Sequence, residues 1–130
     1  MGRKDAFREQ SQESNRVRLW VTQIFYSGEL TCSTHLTEKG ALLRALADIF
    51  DYLGVGDKEE ARRAMRDKWG GHPDNRPTDE EVAKIWDVDV LKALESSQLW
   101  KIFGQWNMCT WDNYDGNSYT VDINRVALEA

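Results

Sequence analysis

Cys32, His35, His72 and Cys109 are the only cysteines and histidines in the chain, and zinc sites usually bring such ligands in pairs about two to four residues apart. Cys32 and His35 alone have that spacing. On a strand, residues three apart point to opposite faces, so the two cannot converge on one ion. No third group is in sequence to orient a Cys–His nucleophile. Asp112, Asn113, Asp115, Gly116 and Asp122 superficially suggest a calcium loop. Setting Gly116 at the sixth position makes Trp111 the first ligand, and an indole has no oxygen to offer. The same residues suit a hairpin turn, because Asp and Gly both accept positive φ. Arg62, Arg63, Arg66 and Lys68 form the densest basic cluster, with Arg62 and Arg66 one helical turn apart where they could grip phosphate or carboxylate. Glu59, Glu60 and Asp67 interleave with them, as on an ordinary solvated helix face. No catalytic constellation emerges, and neither a metal nor a cofactor is expected.

Binding offers more than catalysis does. Between positions 74 and 95, seven acidic residues stand against Arg76, Lys84 and Lys92. Asp79, Glu80, Asp87 and Asp89 are the members expected to meet a basic partner, although acidic helix starts also arise for dipole reasons. Aromatic residues supply the other half of such a surface. Alternation along residues 17–26 separates Val17, Leu19, Val21 and Phe25 from Trp20, Thr22, Ile24 and Tyr26. The first set is expected to face the core. Trp20, Ile24, Tyr26 and Trp111 would then form an apolar patch on a sheet side that no helix covers, and such patches mark interaction sites. The opposite assignment of the two strand faces would remove that patch.

The elements that must position these residues follow from local pattern. Ser27-Gly28 reads as a two-residue turn joining residues 17–26 to a return strand over 29–34, placing Phe25 opposite Leu30, Ile24 opposite Thr31 and Gln23 opposite Cys32. Thr37 caps a helix in which Ala41, Leu42, Ala45, Leu46, Ile49, Phe50 and Leu53 recur at helical spacing up to Gly54, with Leu36 stapled to Ala41. Asp57 and Glu60 open a second helix through Trp69, and residues 70–77 read as a loop. Residues 78–86 suit either a helix capped by Thr78 and Glu81 or a segment ending in a strand. Asp87 caps a turn or helix over Val88–Leu94, and Ser96 or Ser97 caps another carrying Leu99, Trp100, Ile102, Phe103 and Trp106. Residues 105–114 and 117–126 flank Asp115-Gly116 as a second hairpin, with Met108, Tyr119, Val121 and Ile123 on the core side. The expected architecture is α+β: two antiparallel hairpins, about four strands, with three to four helices between them packed on one face.

At 130 residues the chain is the size of one domain. Residues 1–15 have too little apolar content to offset their ordering entropy and are expected to be a disordered arm before a domain over 16–130. The longest apolar run is far below the ~20 residues that cross a bilayer, so no membrane is expected. The N-terminal stretch lacks the apolar core of a signal peptide, which points to a cytoplasmic chain with reduced thiols. Net charge is −5, the wrong sign for neutralising phosphates. It is unevenly spread: residues 1–18 hold five basic and three acidic groups, leaving twelve against nineteen in the remainder.

Residues 36–55 (LTEKGALLRALADIFDYLGV) and 99–116 (LWKIFGQWNMCTWDNYDG) resemble segments of small proteins of phages and mobile elements, the anti-defence proteins with anti-CRISPR inhibitors among them. That resemblance implies a short, acidic, non-enzymatic α+β protein that inhibits by occupying a host protein or protein complex. It transfers no functional residue. The expectation is therefore a non-enzymatic protein-binding module, with aromatic anchors supplying affinity and the acidic flank steering encounter. Two alternatives share the same sheet face: a single-stranded nucleic-acid binder that stacks bases on its aromatics, which the net charge opposes, and a homodimeric structural protein.

Overall fold

A computed structural model describes residues 17–110 and 119–128 of the chain. β1 (Val17–Tyr26) turns through Ser27-Gly28 into β2 (Glu29–His35). Both turn residues have positive φ, 54° at Ser27 and 87° at Gly28, the twist that a two-residue hairpin needs. The register is the expected one, with Phe25 opposite Leu30, Ile24 opposite Thr31 and Gln23 opposite Cys32. The next strand, β3 (Tyr119–Leu128), lies antiparallel along the other side of β1, from Val17 opposite Leu128 to Tyr26 opposite Tyr119. The sheet order is thus β2-β1-β3. β1 is the central strand, paired with β2 along one edge and with β3 along the other.

Five helices stand between β2 and β3 among the described residues: α1 (Glu38–Leu53), α2 (Lys58–Lys68), α3 (Asp79–Ile85), α4 (Val88–Leu91) and α5 (Ser96–Asn107). The fold is α+β, with three strands among the described residues where about four were expected. The Thr37 hydroxyl caps α1 by accepting from Gly40 N at 3.0 Å. Gly54 closes the helix in the left-handed conformation, φ 73°. All seven apolar residues picked out for α1 are buried. Leu36 is 80% exposed, so the expected staple onto Ala41 is not made. Asp57 caps α2, and the reciprocal Thr78–Glu81 capping box makes 79–85 a helix, resolving the helix-or-strand alternative. The cap of α5 is Glu95 rather than either serine, through a box with Gln98.

The expected second hairpin is corrected at its first strand. Leu99, Ile102, Phe103 and Trp106 continue the helical period without a break, so residues 105–107 belong to α5. Burying that stripe outweighs the weak alternation after it. The expected pairing of Thr110 with Val121 is absent, since Thr110 lies in the turn that follows α5, its N–H donating to the Asn107 carbonyl at 3.0 Å. Asp115-Gly116 and the arm over 1–15 lie outside the described residues. On β3 itself, Tyr119 and Val121 are buried and Ile123 packs against the core, as expected.

α1 packs against all three strands, and α4 and α5 pack on α1. The core runs between the sheet and this helical layer. Phe50 meets Trp106 edge to face with ring centroids 5.0 Å apart, and the Trp106 indole N–H donates to the Ile85 carbonyl at 3.0 Å. Burial of an aromatic this large is stabilising when its one polar atom is satisfied.

Candidate docking face and tyrosine recess

The strand faces are the reverse of the sequence expectation. Residues directly opposite in an antiparallel pair point the same way, so Ile24 shares its side with Thr31 and Val121, under α1. Ile24 is buried, and so is Thr22, whose hydroxyl donates to the Ala41 carbonyl of α1 at 2.8 Å. Ile24 is therefore part of the core and no exposed anchor. Trp20 is half-buried on this helix-facing side, with the Arg125 guanidinium 5.9 Å from its ring centroid. Tyr26 is on the same side but stands at the hairpin end, where it remains exposed. Trp111 lies outside the described residues. Trp20, Ile24 and Tyr26 thus do not form the expected outer patch.

The sheet nevertheless has an open face, made by the other set. Phe25, Leu30 and Val126 are exposed there, and Leu19 and Val21 are half-buried beside them. Gln23 accepts a cross-strand hydrogen bond from the Asn124 amide at 2.9 Å, and Cys32 is exposed. Among the described positions on this face, Asp122 alone is charged.

The acidic flank is spent largely on local structure. Arg66 grips Asp79 through two of its three guanidinium nitrogens, Nε and Nη2, and that hydrogen-bonded ion pair holds the Asp79 carboxyl below the usual carboxylate range. Asp87 caps α4 by accepting from Asp89 N, and Asp89 pairs with Lys92 at 3.0 Å. Glu80 is exposed. Exposed pairs of this kind contribute little stability. The basic cluster is similarly engaged, with Arg62 bonded to Glu59 at 2.7 Å. Cys109 is buried, and burial pushes its thiol up to about 12, which suits an inert core residue rather than a nucleophile. His35 is bonded to Ser33 on the sheet.

A feature that sequence reasoning missed lies at the hairpin end on the helix side. There a recess of about 420 Å³ opens between β1, β2, β3 and the last turns of α1. Asp48, Asp51 and Tyr52 share one face of α1 at i, i+3 and i+4, and Tyr26 and Tyr119 arrive as a cross-strand pair. The Tyr52 and Tyr119 rings stack in parallel, centroids 3.9 Å apart, and Tyr26 stands edge-on to both at 5.6 and 6.0 Å. The Tyr119 hydroxyl donates to Asp48 Oδ2. Burial first, then that bond and its negative charge, hold the phenol above its ordinary range, so it remains a neutral donor. Glu29 completes the acidic side of the recess. The cross-strand tyrosine pair could have been found only by placing β3 beside β1, which no local pattern does.

Against known protein families, curated proteins and solved structures, the chain matches none.

Proposed function

We propose that this chain is a non-enzymatic protein-binding module whose partner docks on the open face of the sheet. The observation that carries the reading is the composition of that face: Phe25, Leu30 and Val126 are exposed, and among the described residues Asp122 is the single charged position around them. Desolvating such side chains supplies affinity, while charge outside the contact sets orientation and encounter rate. With a net charge of −5, the complementary partner is a protein with an apolar surface bordered by basic groups. In its narrower form, suggested by the resemblance of residues 36–55 and 99–116 to anti-defence proteins, that partner is a host defence complex, occupied rather than modified. A single-stranded nucleic acid is a poorer occupant, since the described face offers one aromatic ring, Phe25, and no Lys or Arg.

The test uses Cys32 as a reporter embedded in the face. A partner captured from native cells and identified is titrated against the wild-type chain and the Phe25→Ser/Leu30→Ser variant, with circular dichroism confirming that the variant folds. The reading expects at least about tenfold weaker binding by the variant and protection of Cys32 from thiol labelling in the complex. Equal affinities with Cys32 fully reactive overturn it. If light scattering instead reports a dimer that protects Cys32 and dissociates on the same substitutions, the occupant is a second copy of this chain.

A further inference from the structure

The last turns of α1 place negative charge where the helix itself is already negative. Asp48 and Asp51 stand toward its C-terminus, no basic residue occupies its last turn, and carboxylates are disfavoured at that end of the macrodipole. Glu29 faces them from the hairpin. Among the described residues none of the three carboxylates has a basic partner, whereas Glu59, Asp79 and Asp89 elsewhere do. Among the described residues the arrangement is kept without an opposing cation, Asp48 being met by the neutral Tyr119 hydroxyl. The same recess is walled by Tyr26, Tyr52 and Tyr119, whose π systems also favour positive charge. Its volume of about 420 Å³ falls within the range of small-molecule sites. Among the described residues, no three His, Cys, Asp or Glu are placed to share a metal ion, so the rings and the carboxylates together suit an organic cation.

We propose that this recess binds the ammonium or guanidinium group of an organic cation, with Tyr26 as the exposed ring and Glu29 and Asp51 as its counter-charges. The site lies on the helix side of the sheet, so it stands whether or not the open face docks a partner. Two sources present this chemistry: a Lys or Arg side chain on a protein, and a free diamine or guanidine.

The experiment titrates agmatine, a short peptide carrying one Arg and one Lys among neutral residues, and the same peptide with Lys acetylated and Arg replaced by citrulline, into the isotopically labelled full chain. Backbone amide and tyrosine ring resonances are followed. Saturable shifts centred on Tyr26, Glu29, Asp51 and Tyr119 are expected with the first two ligands and not with the neutral peptide. In the Glu29→Gln/Asp51→Asn variant, whose two substituted side chains are exposed, binding should weaken about tenfold or more. Tyr26→Phe should retain binding that Tyr26→Ala loses. Agmatine binding as well as the charged peptide identifies a site for free cations; a preference of at least about tenfold for the peptide identifies a site for a presented side chain. No saturable shift at millimolar cation, an equal response to the neutral peptide, or unchanged affinity in the folded double variant overturns the proposal.

Discussion

Ile24 and Phe25 are neighbours in the chain, yet Ile24 is 7% exposed beneath α1 and Phe25 is 37% exposed on the other side of the sheet. One face of this sheet is sealed by a helix that touches all three strands, and it even buries the Thr22 hydroxyl by giving it a carbonyl partner. The opposite face carries residues just as apolar and leaves Phe25, Leu30 and Val126 exposed to water. Hydrophobicity therefore did not decide which side became the core. Cross-strand pairing with β3 did, because Tyr119, Val121 and Ile123 can meet α1 only if Tyr26, Ile24 and Thr22 lie on their side. The difference separates side chains that hold the fold together from side chains that remain available to another molecule.

The largest contrast between the faces should be in thiol reactivity. Cys32 is exposed on the open face, whereas Cys109 is buried with its thiol pushed up to about 12. Since the thiolate is the reacting species, Cys109 in the folded chain should label at least about a thousandfold more slowly than Cys32, and denaturant should erase the gap. Stopped-flow labelling of the wild-type chain and of the Cys32→Ser and Cys109→Ser variants measures both rates. Comparable rates in the native state would break the distinction between a sealed interior and an open face.

Stability should divide the same way at adjacent positions. Ile24→Ala removes methyl groups from a packed site under α1 and is expected to cost about 3 kcal/mol, while Phe25→Ala should cost less than about 1 kcal/mol. Urea unfolding monitored by tryptophan fluorescence gives both values. A larger loss at Phe25 than at Ile24 would mean that the faces are inverted.

That inversion also marks how far the sequence was legible. Elements with strong local signals were readable: the Ser27-Gly28 turn, the β1–β2 register, the Thr37 and Asp57 caps, and the seven-residue apolar stripe of α1 all follow from interactions within a few residues. β1 was ambiguous because both of its faces are apolar, and alternation then gives two phases without ranking them. The partner that ranks them is β3, about a hundred residues away along the chain. The expected strand over 105–114 failed for a related reason, as its first residues complete the helical stripe ending at Trp106. The recess draws its tyrosines from three separate elements, so its parts carry no shared motif. The existence of an open sheet face was foreseeable from placing the helices on one side; the identity of the side chains on it was not.

The smallest effect sharpens the comparison at the recess, where the sealed face meets water. Tyr119 keeps its proton in the fold because burial and the Asp48 carboxylate oppose ionisation. In the unfolded chain the same phenol ionises near its ordinary value of about 10. Below that pH both states are protonated and the contribution of Tyr119 is fully present. Above it the unfolded state binds fewer protons than the folded one, so stability falls as pH rises. Tyr119→Phe keeps the ring and removes the proton. Its stability should therefore fall less steeply than that of the wild type between about pH 9 and about pH 11, even though the lost hydrogen bond lowers its stability at neutral pH. Urea midpoints measured across that window give the two slopes, and the difference between slopes cancels the lysines and other tyrosines that titrate in both chains. Parallel slopes would mean that Tyr119 ionises in the fold as freely as in water, and the wall between the recess and the core would have to be placed deeper than this residue.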